Sequence, residues 1–245
     1  MIWLLGVLCG AVVAILVAAV VKPVSDRLAE VSDRLWGAPA LFVHVEHDPR
    51  LIWANMPPWV GFAYCFEDGL PLEPPPSVAF DSWQWARRNG GVNMGISVLQ
   101  VTLQARSGVS VVIEDVLARN VRRNKSGGVG VVFPAGGASL CPRRFDVDLD
   151  AWSPPIVEFR VGADADPIPA PSFQLAPGET ERFHIWVRAR HGWNDWSVQL
   201  PLLVNGRRQY QDIGTEAKPF TTVGSDVPTA SYMPGRDGTW LPFEG

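Results

Sequence analysis

A run of twenty uncharged residues, from Ile2 to Val21, constrains this chain more than any other feature. A helix of that length measures about 30 Å, which is the thickness of the hydrocarbon core of a bilayer. No basic residue precedes the run, and it is too long for the apolar part of a cleaved signal peptide. We therefore expect a single-pass transmembrane helix over residues 1–22, in a protein of the cell membrane.

Small residues recur at every fourth position of this run, at Gly6, Gly10, Ala14 and Ala18. This spacing places them on one face of a helix, where two helix backbones can approach closely. We interpret the face as a site of helix self-association, which predicts a homodimer. Ordinary lipid-facing residues are the alternative.

A seven-residue repeat follows the run, and Val24, Leu28, Val31 and Leu35 take the a and d positions of its heptads. The repeat predicts a helical stalk over residues 23–37. Paired stalks would extend the dimer, and these four residues would form the seam between them. A single amphipathic helix that lies against the domain or the bilayer is an equal alternative.

Positive residues near a membrane helix prefer the cytoplasmic side. Lys22, Arg27 and Arg34 all follow the apolar run, which favours a cytoplasmic position for the large domain. An extracytoplasmic domain is the alternative. The side also decides the state of Cys65 and Cys141, because they would be thiols in the cytoplasm and could form a disulfide in an oxidising compartment.

Beyond residue 40, short runs rich in Val, Ile, Phe and Trp are separated by Gly, Pro, Asn and Asp. This pattern is typical of strands joined by turns. The sequence lacks the regular alternation of strands with helices that an α/β fold requires. We expect a mainly β protein. An antiparallel immunoglobulin-like β-sandwich over residues 40–220 would follow the transmembrane helix and stalk, and a loosely ordered tail would occupy residues 221–245.

Two hairpins are predicted within this domain. One joins Gly95–Gln104 to Val109–Val121 through Ser107-Gly108. The other joins Trp196–Val204 to the strand ending at Ile213 through Asn205-Gly206.

The run from Phe173 to Ala189, which contains Leu-Ala-Pro-Gly-Glu, resembles a hairpin common in immunoglobulin-like and related bacterial sandwich domains. Further segments between residues 83 and 220 share a second resemblance: Trp83-Gln84-Trp85, Gly90-Gly91, Gly136-Gly137, Asp146-Val147-Asp148-Leu149-Asp150 and Pro219-Phe220-Thr221. They resemble uncharacterised actinobacterial-type single-pass membrane proteins with an immunoglobulin-like β-sandwich domain. The resemblance implies that fold and brings no activity with it.

The chain has 21 basic and 25 acidic residues, and its formal net charge of −4 argues against a nucleic-acid partner. It contains neither a nucleophile elbow nor a phosphate-binding loop. The histidines lack the spacing of a metal site: His44, His47, His184 and His191. We predict no catalytic, cofactor-binding or metal-binding residue, which leans against an enzyme.

Two tryptophan pairs are candidates for contact with a ligand or partner. Trp83 and Trp85 share one face of a predicted extended segment, and Trp193 and Trp196 flank a predicted loop. Exposed aromatic pairs can stack on sugar rings or anchor a protein partner. Alternatively, they fill the sandwich core.

Charged residues form two further groups. One could contact anionic lipid headgroups or could simply discourage pairing at a hairpin tip: Arg119, Arg122, Arg123 and Lys125. The other alternates with apolar residues, which predicts a solvated acidic strand face rather than a cation site: Asp146, Asp148 and Asp150.

The sequence thus favours a membrane-anchored, non-catalytic binding or assembly module that acts through contacts with an unidentified protein. One alternative is an extracytoplasmic cell-wall or carbohydrate-binding module that uses exposed tryptophan pairs. Another is an enzyme whose site is assembled from residues distant in sequence.

Overall fold

The computed structural model describes residues 39–54, 62–76, 79–123, 125–134, 143–151, 154–161, 166–169 and 171–244. The predicted transmembrane helix, its small-residue face and the predicted stalk lie outside these residues, as do Cys141 and Gly136-Gly137. Within the described ranges, no helix has the length and apolarity needed to cross a membrane.

The described chain is mainly β, as the sequence predicts, and its strands form two sheets. The first sheet has six strands in the order β1-β4-β12-β8-β9-β10. Their bounds are β1 Leu41–Glu46, β4 Ile96–Ala105, β8 Arg144–Asp148, β9 Ile156–Arg160, β10 Ile168–Pro169 and β12 Thr180–Arg188.

The second sheet has eleven strands and follows the order β11-β5-β13-β15-β3-β2-β7-β16-β17, with β6 and β14 also paired to β13. Their bounds are β2 Phe62–Phe66, β3 Val92–Met94, β5 Val111–Ile113, β6 Leu117–Arg123, β7 Val129–Phe133, β11 Phe173–Leu175, β13 Trp193–Val204, β14 Arg207–Ile213, β15 Phe220–Val223, β16 Ala230–Pro234 and β17 Trp240–Pro242. Two short helices, α1 over Pro49–Ile52 and α2 over Ser82–Arg88, lie beside the sheets, and a 3-10 turn over Ala79–Asp81 precedes α2.

Both sheets are mixed rather than purely antiparallel. β8 runs parallel to β12, β3 to β15, and β7 to β16. The predicted antiparallel arrangement is therefore wrong for these pairs. The alternation of side chains along a strand shows which face is buried, but it does not show the direction of the neighbouring strand.

The main hydrophobic cluster combines side chains from both sheets. Val101 and Ile185 of the first sheet and Val198 and Leu200 of the second are fully buried within it. Alternate residues of β13 face this cluster, as the period of two in its burial shows.

The hairpin through Asn205-Gly206 is confirmed, because β13 and β14 pair from Val198 and Ile213 to Val204 and Arg207. The two turn residues have φ angles of 48° and 75°. A two-residue turn of this kind requires positive φ at both positions, which an Asn-Gly pair adopts easily.

The predicted hairpin through Ser107-Gly108 is wrong. β4 lies in the first sheet and β5 in the second, and the connection through Pro177-Gly178 separates β11 from β12 in the same way. The two connections lie side by side, since Gly178 N donates to Ala105 O over 3.1 Å and Ala105 N donates to Glu179 O over 2.9 Å. A strand with one buried face fits either sheet, so alternation did not distinguish a hairpin from a crossing between sheets.

The tail predicted to be loosely ordered contains β16 and β17. Residues Ala230–Tyr232 pair in parallel with β7, which adds both strands to the second sheet. Trp240 then packs on Trp85, with ring centroids 5.9 Å apart. Backbone pairing and one buried aromatic contact order this polar segment.

Candidate functional site

An apolar cavity of ≈ 290 Å³ lies where β4 of the first sheet meets β2, β3 and β7 of the second sheet and both short helices. Its walls are mostly aromatic and aliphatic, as in typical small-molecule sites. The described lining residues are His47, Pro49, Ile52, Trp53, Phe62, Ala63, Tyr64, Trp83, Asn93, Met94, Gly95, Ile96, Val98, Val132, Phe133 and Pro134.

Helix α1 holds one wall of this cavity. Asp48 caps the helix by accepting a bond of 2.9 Å from Arg50 N, and Pro49 stands at its first turn, where a missing N–H costs nothing. The Arg50 side chain also binds the Asp48 carboxylate, with Nη2 to Oδ2 at 2.8 Å. This fixed turn directs Ile52 and Trp53 into a cluster with Trp186.

Trp83 and Trp85 belong to helix α2, so the predicted extended segment is wrong. Residues two apart lie on different sides of a helix. Trp83 lines the cavity, whereas Trp85 is buried in the core against Phe66 and Phe133, with centroids 5.3 and 6.0 Å away. Only Trp83 of this pair is placed to contact a ligand.

Two polar side chains of the cavity wall, Tyr64 and Asn93, have partners within the protein, whereas Trp83 Nε1 is buried without a hydrogen-bond partner among the described residues. The hydroxyl groups of Tyr64 and Ser82 lie 3.2 Å apart, and Asn93 Nδ2 donates to Ser97 Oγ over 3.0 Å. Ser97 Oγ continues to Thr222 Oγ1 at 2.6 Å. Burial raises the pKa of Tyr64 above its usual value, which keeps the phenol neutral.

His47 lies beside Trp83, with ring centroids 5.1 Å apart. Burial lowers the pKa of His47, and the positive charge of Arg87 lowers it further, although Glu46 and Asp48 oppose this effect. The Arg87 guanidinium itself lies 5.6 Å from the centroid of the Trp83 ring. His47 is therefore neutral at pH 7, and no residue in the described lining carries a full charge.

Trp193 and Trp196 lie in strand β13 and not in a loop, which corrects the prediction for this pair. They are only 3% and 1% exposed, so neither offers a face to a ligand at the surface. Lys125 Nζ lies 4.1 Å from the centroid of the Trp193 ring, and Trp196 Nε1 donates to Thr222 Oγ1 over 2.9 Å. Residues three apart face opposite sides of a strand, and both sides are covered here: Trp193 packs with Cys65, Met94 and Val223, whereas Trp196 lies in the main hydrophobic cluster.

The residues of the predicted basic cluster each contact a polar or acidic side chain. Arg119 donates to Gln199 over 2.8 Å, and Arg122 to Asp150 over 2.6 Å. Two further ion pairs join Arg123 to Asp195 and Lys125 to Glu67. Contact with anionic lipid stays a prediction that these pairs neither support nor contradict.

The predicted solvated acidic face is wrong for Asp146, which is 7% exposed. Its Oδ2 contacts Arg144 Nε at 3.2 Å and Arg160 Nε at 2.7 Å. Asp148 is exposed, and Asp150 accepts bonds from backbone N–H groups of the loop after β12. The outer side of the first sheet is thus partly covered, which a strand pattern alone does not reveal.

The histidines are dispersed over the fold. His44 is exposed on β1, and His184 is buried against Trp53. His191 pairs with Asp226. In the described part of the chain, no three His, Cys, Asp or Glu side chains come together in a way that could hold a metal ion.

Cys65 is a buried free thiol in the second sheet, and burial raises its pKa to about 11. The charge of Lys125 lowers the pKa only partly. The thiol is therefore protonated at pH 7 and unreactive as a nucleophile.

Sequence reasoning found Trp83 but missed most of the cavity wall. Trp53, Phe62 and Phe133 come from three separate segments, and none forms a recognisable motif with the others. The cap formed by Asp48-Pro49 was the one local signal for a helix at this position.

Comparisons with models of protein families, with curated proteins and with solved structures gave no match.

Proposed function

We propose that this chain is a membrane-anchored, non-catalytic binding module whose β domain takes its ligand in the aromatic cavity. The observation that supports the proposal best is the cavity itself, with its largely apolar lining between two sheets and two helices. Burial of concave apolar surface of this kind by a ligand is favourable, because it removes that surface from water.

The anchor in this proposal is the uncharged run from Ile2 to Val21. Its small residues would pair two helices, and the heptad seam would continue the dimer toward the domain. Lys22, Arg27 and Arg34 favour a cytoplasmic domain under the positive-inside rule. We also propose that the two sheets form an immunoglobulin-like sandwich, since both contribute side chains to one core.

The sequence favours contact with a protein partner. Such a partner could bind a surface other than the cavity. Leu117 and Tyr210 are exposed on the outer side of the second sheet, on the strands that flank β13. Carbohydrate binding through the tryptophan pairs gains no support from the structure, because Trp85, Trp193 and Trp196 are buried.

Native mass spectrometry of the full chain, released from membranes in mild detergent, tests the proposal. Val98 lines the cavity from β4, so Val98→Phe should fill part of it. We expect an apolar molecule to accompany the wild-type chain and to be lost from this variant. Val121→Phe makes the same change at a position that is 67% exposed on β6, and it should retain the molecule.

Identical spectra for the wild-type chain and Val98→Phe would overturn the cavity as the binding site. Ile96→Trp, at the more exposed end of the lining, provides a second filling variant in case Val98→Phe fails to fold.

A further inference from the structure

We infer that the ligand of this cavity is an uncharged, largely apolar molecule with the bulk of about two fused aromatic rings. This inference rests on the proposed function, and it assigns the chemical class of what the module binds.

The size of the cavity sets the bulk of the ligand. An engineered apolar cavity of about 150 Å³ in another protein binds benzene. The cavity described here measures ≈ 290 Å³, about twice that volume. A bicyclic aromatic body therefore fits inside it.

The aromatic side chains of the walls favour a planar aromatic ligand. Five aromatic side chains border the cavity: Trp53, which directly follows α1, Phe62 and Tyr64 of β2, Trp83 of α2, and Phe133 of β7. Aromatic rings prefer stacked or edge-to-face contact with other rings, which adds about 0.5–1.5 kcal/mol per pair beyond area burial. Met94 adds a flexible thioether, which adapts to irregular gaps and contacts ring edges well.

The electrostatics of the walls favour a neutral ligand. Neither Asp, Glu, Lys nor Arg occurs among the described lining residues. The two carboxylates that flank His47 in the chain are already occupied: Asp48 binds the Arg50 guanidinium, and Glu46 Oε1 accepts from the backbone N–H groups of His47 and Asp48 at 2.8 and 2.7 Å. An ion that entered the cavity would lose its hydration without gaining a counter-charge, and this cost is large.

Arg87 is the charged group through which the site could bind an anionic ligand instead of a neutral one. Its guanidinium lies against the Trp83 ring, and in the described chain it forms no ion pair with a carboxylate. It is not part of the cavity lining, however. A ligand carboxylate that reached past Trp83 could contact it, and an anionic probe tests that geometry directly.

Three probes with the same bicyclic body separate these cases: naphthalene, 1-naphthoate and 1-naphthylmethylammonium. Each would be titrated by equilibrium dialysis against the full chain in nanodiscs at pH 7.5. Binding would be taken as the difference between the wild-type chain and Val98→Phe, because naphthalene also partitions into lipid. Val121→Phe serves as the matched control and should bind like the wild-type chain.

We expect naphthalene to bind at about one molecule per chain and at least tenfold more tightly than either ion. Equal or tighter binding of 1-naphthoate would overturn the inference of a neutral ligand and would implicate Arg87, while the proposed binding function would stand. Preference for the ammonium probe would overturn the inference in the same way. Failure of all three probes, together with no co-purified molecule in the wild-type chain, would overturn the proposed function as well.

Discussion

The imidazole of His184 meets the ring of Trp53 edge to face, with centroids 5.1 Å apart. This contact covers the outer side of β12, where His184 is only 8% exposed. Gln100 Nε2 lies 3.2 Å from His184 Nε2, a geometry in which a neutral ring accepts from the amide. Burial, together with the smaller effect of the charge of Arg182, lowers the pKa of His184 to about 4.

This burial predicts a loss of stability in mild acid. The folded pKa of about 4 lies below the ordinary value of 6.5, so the unfolded chain takes up the proton first as the pH falls. The stability associated with the neutral ring is complete above pH 6.5 and decreases between pH 6.5 and 4. At about 1.4 kcal/mol per pKa unit, this shift corresponds to a loss of at most about 3–4 kcal/mol.

Urea denaturation of the full chain in mild detergent, repeated across this range, measures the effect. His184→Gln removes the titrating ring, so the free energy of unfolding of this variant should depend less on pH between 6.5 and 4 than that of the wild-type chain. His44→Gln, at an exposed position on β1, should retain the wild-type slope. Equal slopes for the wild-type chain and His184→Gln would contradict the assignment.

The carboxylate of Asp146 balances two guanidinium groups, Arg144 on its own strand β8 and Arg160 on the neighbouring strand β9. Asp146→Asn should lower the free energy of unfolding by about 3 kcal/mol, because Arg144 and Arg160 would lose the anion between them. Asp148→Asn changes an exposed carboxylate on the same strand and should cost less than 1 kcal/mol, roughly the size of a surface effect. Equal denaturant concentrations at the unfolding midpoint of the two variants would refute the prediction.

Trp83 and Trp85 should differ sharply when each is replaced by Ala. Trp85 is fully buried, and its indole also donates to Glu73 O over 3.3 Å, so Trp85→Ala should cost about 3–5 kcal/mol of stability. Trp83→Ala should cost about 1–2 kcal/mol, since this ring is only partly buried, and should weaken binding of naphthalene. A Trp83→Ala chain that binds naphthalene like the wild type would remove Trp83 from the site.

Asn194 is fully buried at the start of β13 and joins two neighbouring segments. Its Nδ2 donates to His191 O over 2.8 Å, and its Oδ1 accepts from Asn120 Nδ2 over 3.1 Å. Asn194→Asp replaces the donor by an anion that faces a carbonyl, which should cost about 3 kcal/mol at pH 7. Asn205→Asp, in the exposed turn, should be nearly neutral, and thermal melts of the two variants provide the comparison.

If the proposed membrane anchor is correct, the side on which the domain lies can be measured with an added cysteine at Asp237, which is exposed. Asp237→Cys should be protected from a membrane-impermeant maleimide in intact cells and should react after lysis, because the basic residues after the apolar run favour a cytoplasmic domain. Cys65 is buried and should contribute little labelling. Labelling in intact cells would place the domain outside.

Local chemistry was readable from the sequence where a few adjacent residues decide the outcome. Asn205-Gly206 predicted its hairpin correctly, because positive φ at two successive positions admits few residue types. The mainly β class was also predictable, because turn residues and the alternation of apolar and polar side chains are local features of the sequence.

Tertiary structure decided which strands share a sheet and which side chains reach the surface. Ser107-Gly108 and Pro177-Gly178 both look like hairpin turns, yet both connect the two sheets, since alternation fixes only the buried face of a strand. Asp146 and His184 are covered on the outer side of the first sheet, although their strands read as half-solvated.

The cavity shows the same division most clearly. The sequence singled out Trp83, but it placed the residue on an extended segment and paired it with Trp85, which packs in the core instead. Trp53 and Phe133 are 80 residues apart in the chain and border one space only after β7 and α1 meet across β4. Such a site depends on distances between segments, and a linear pattern does not contain those distances.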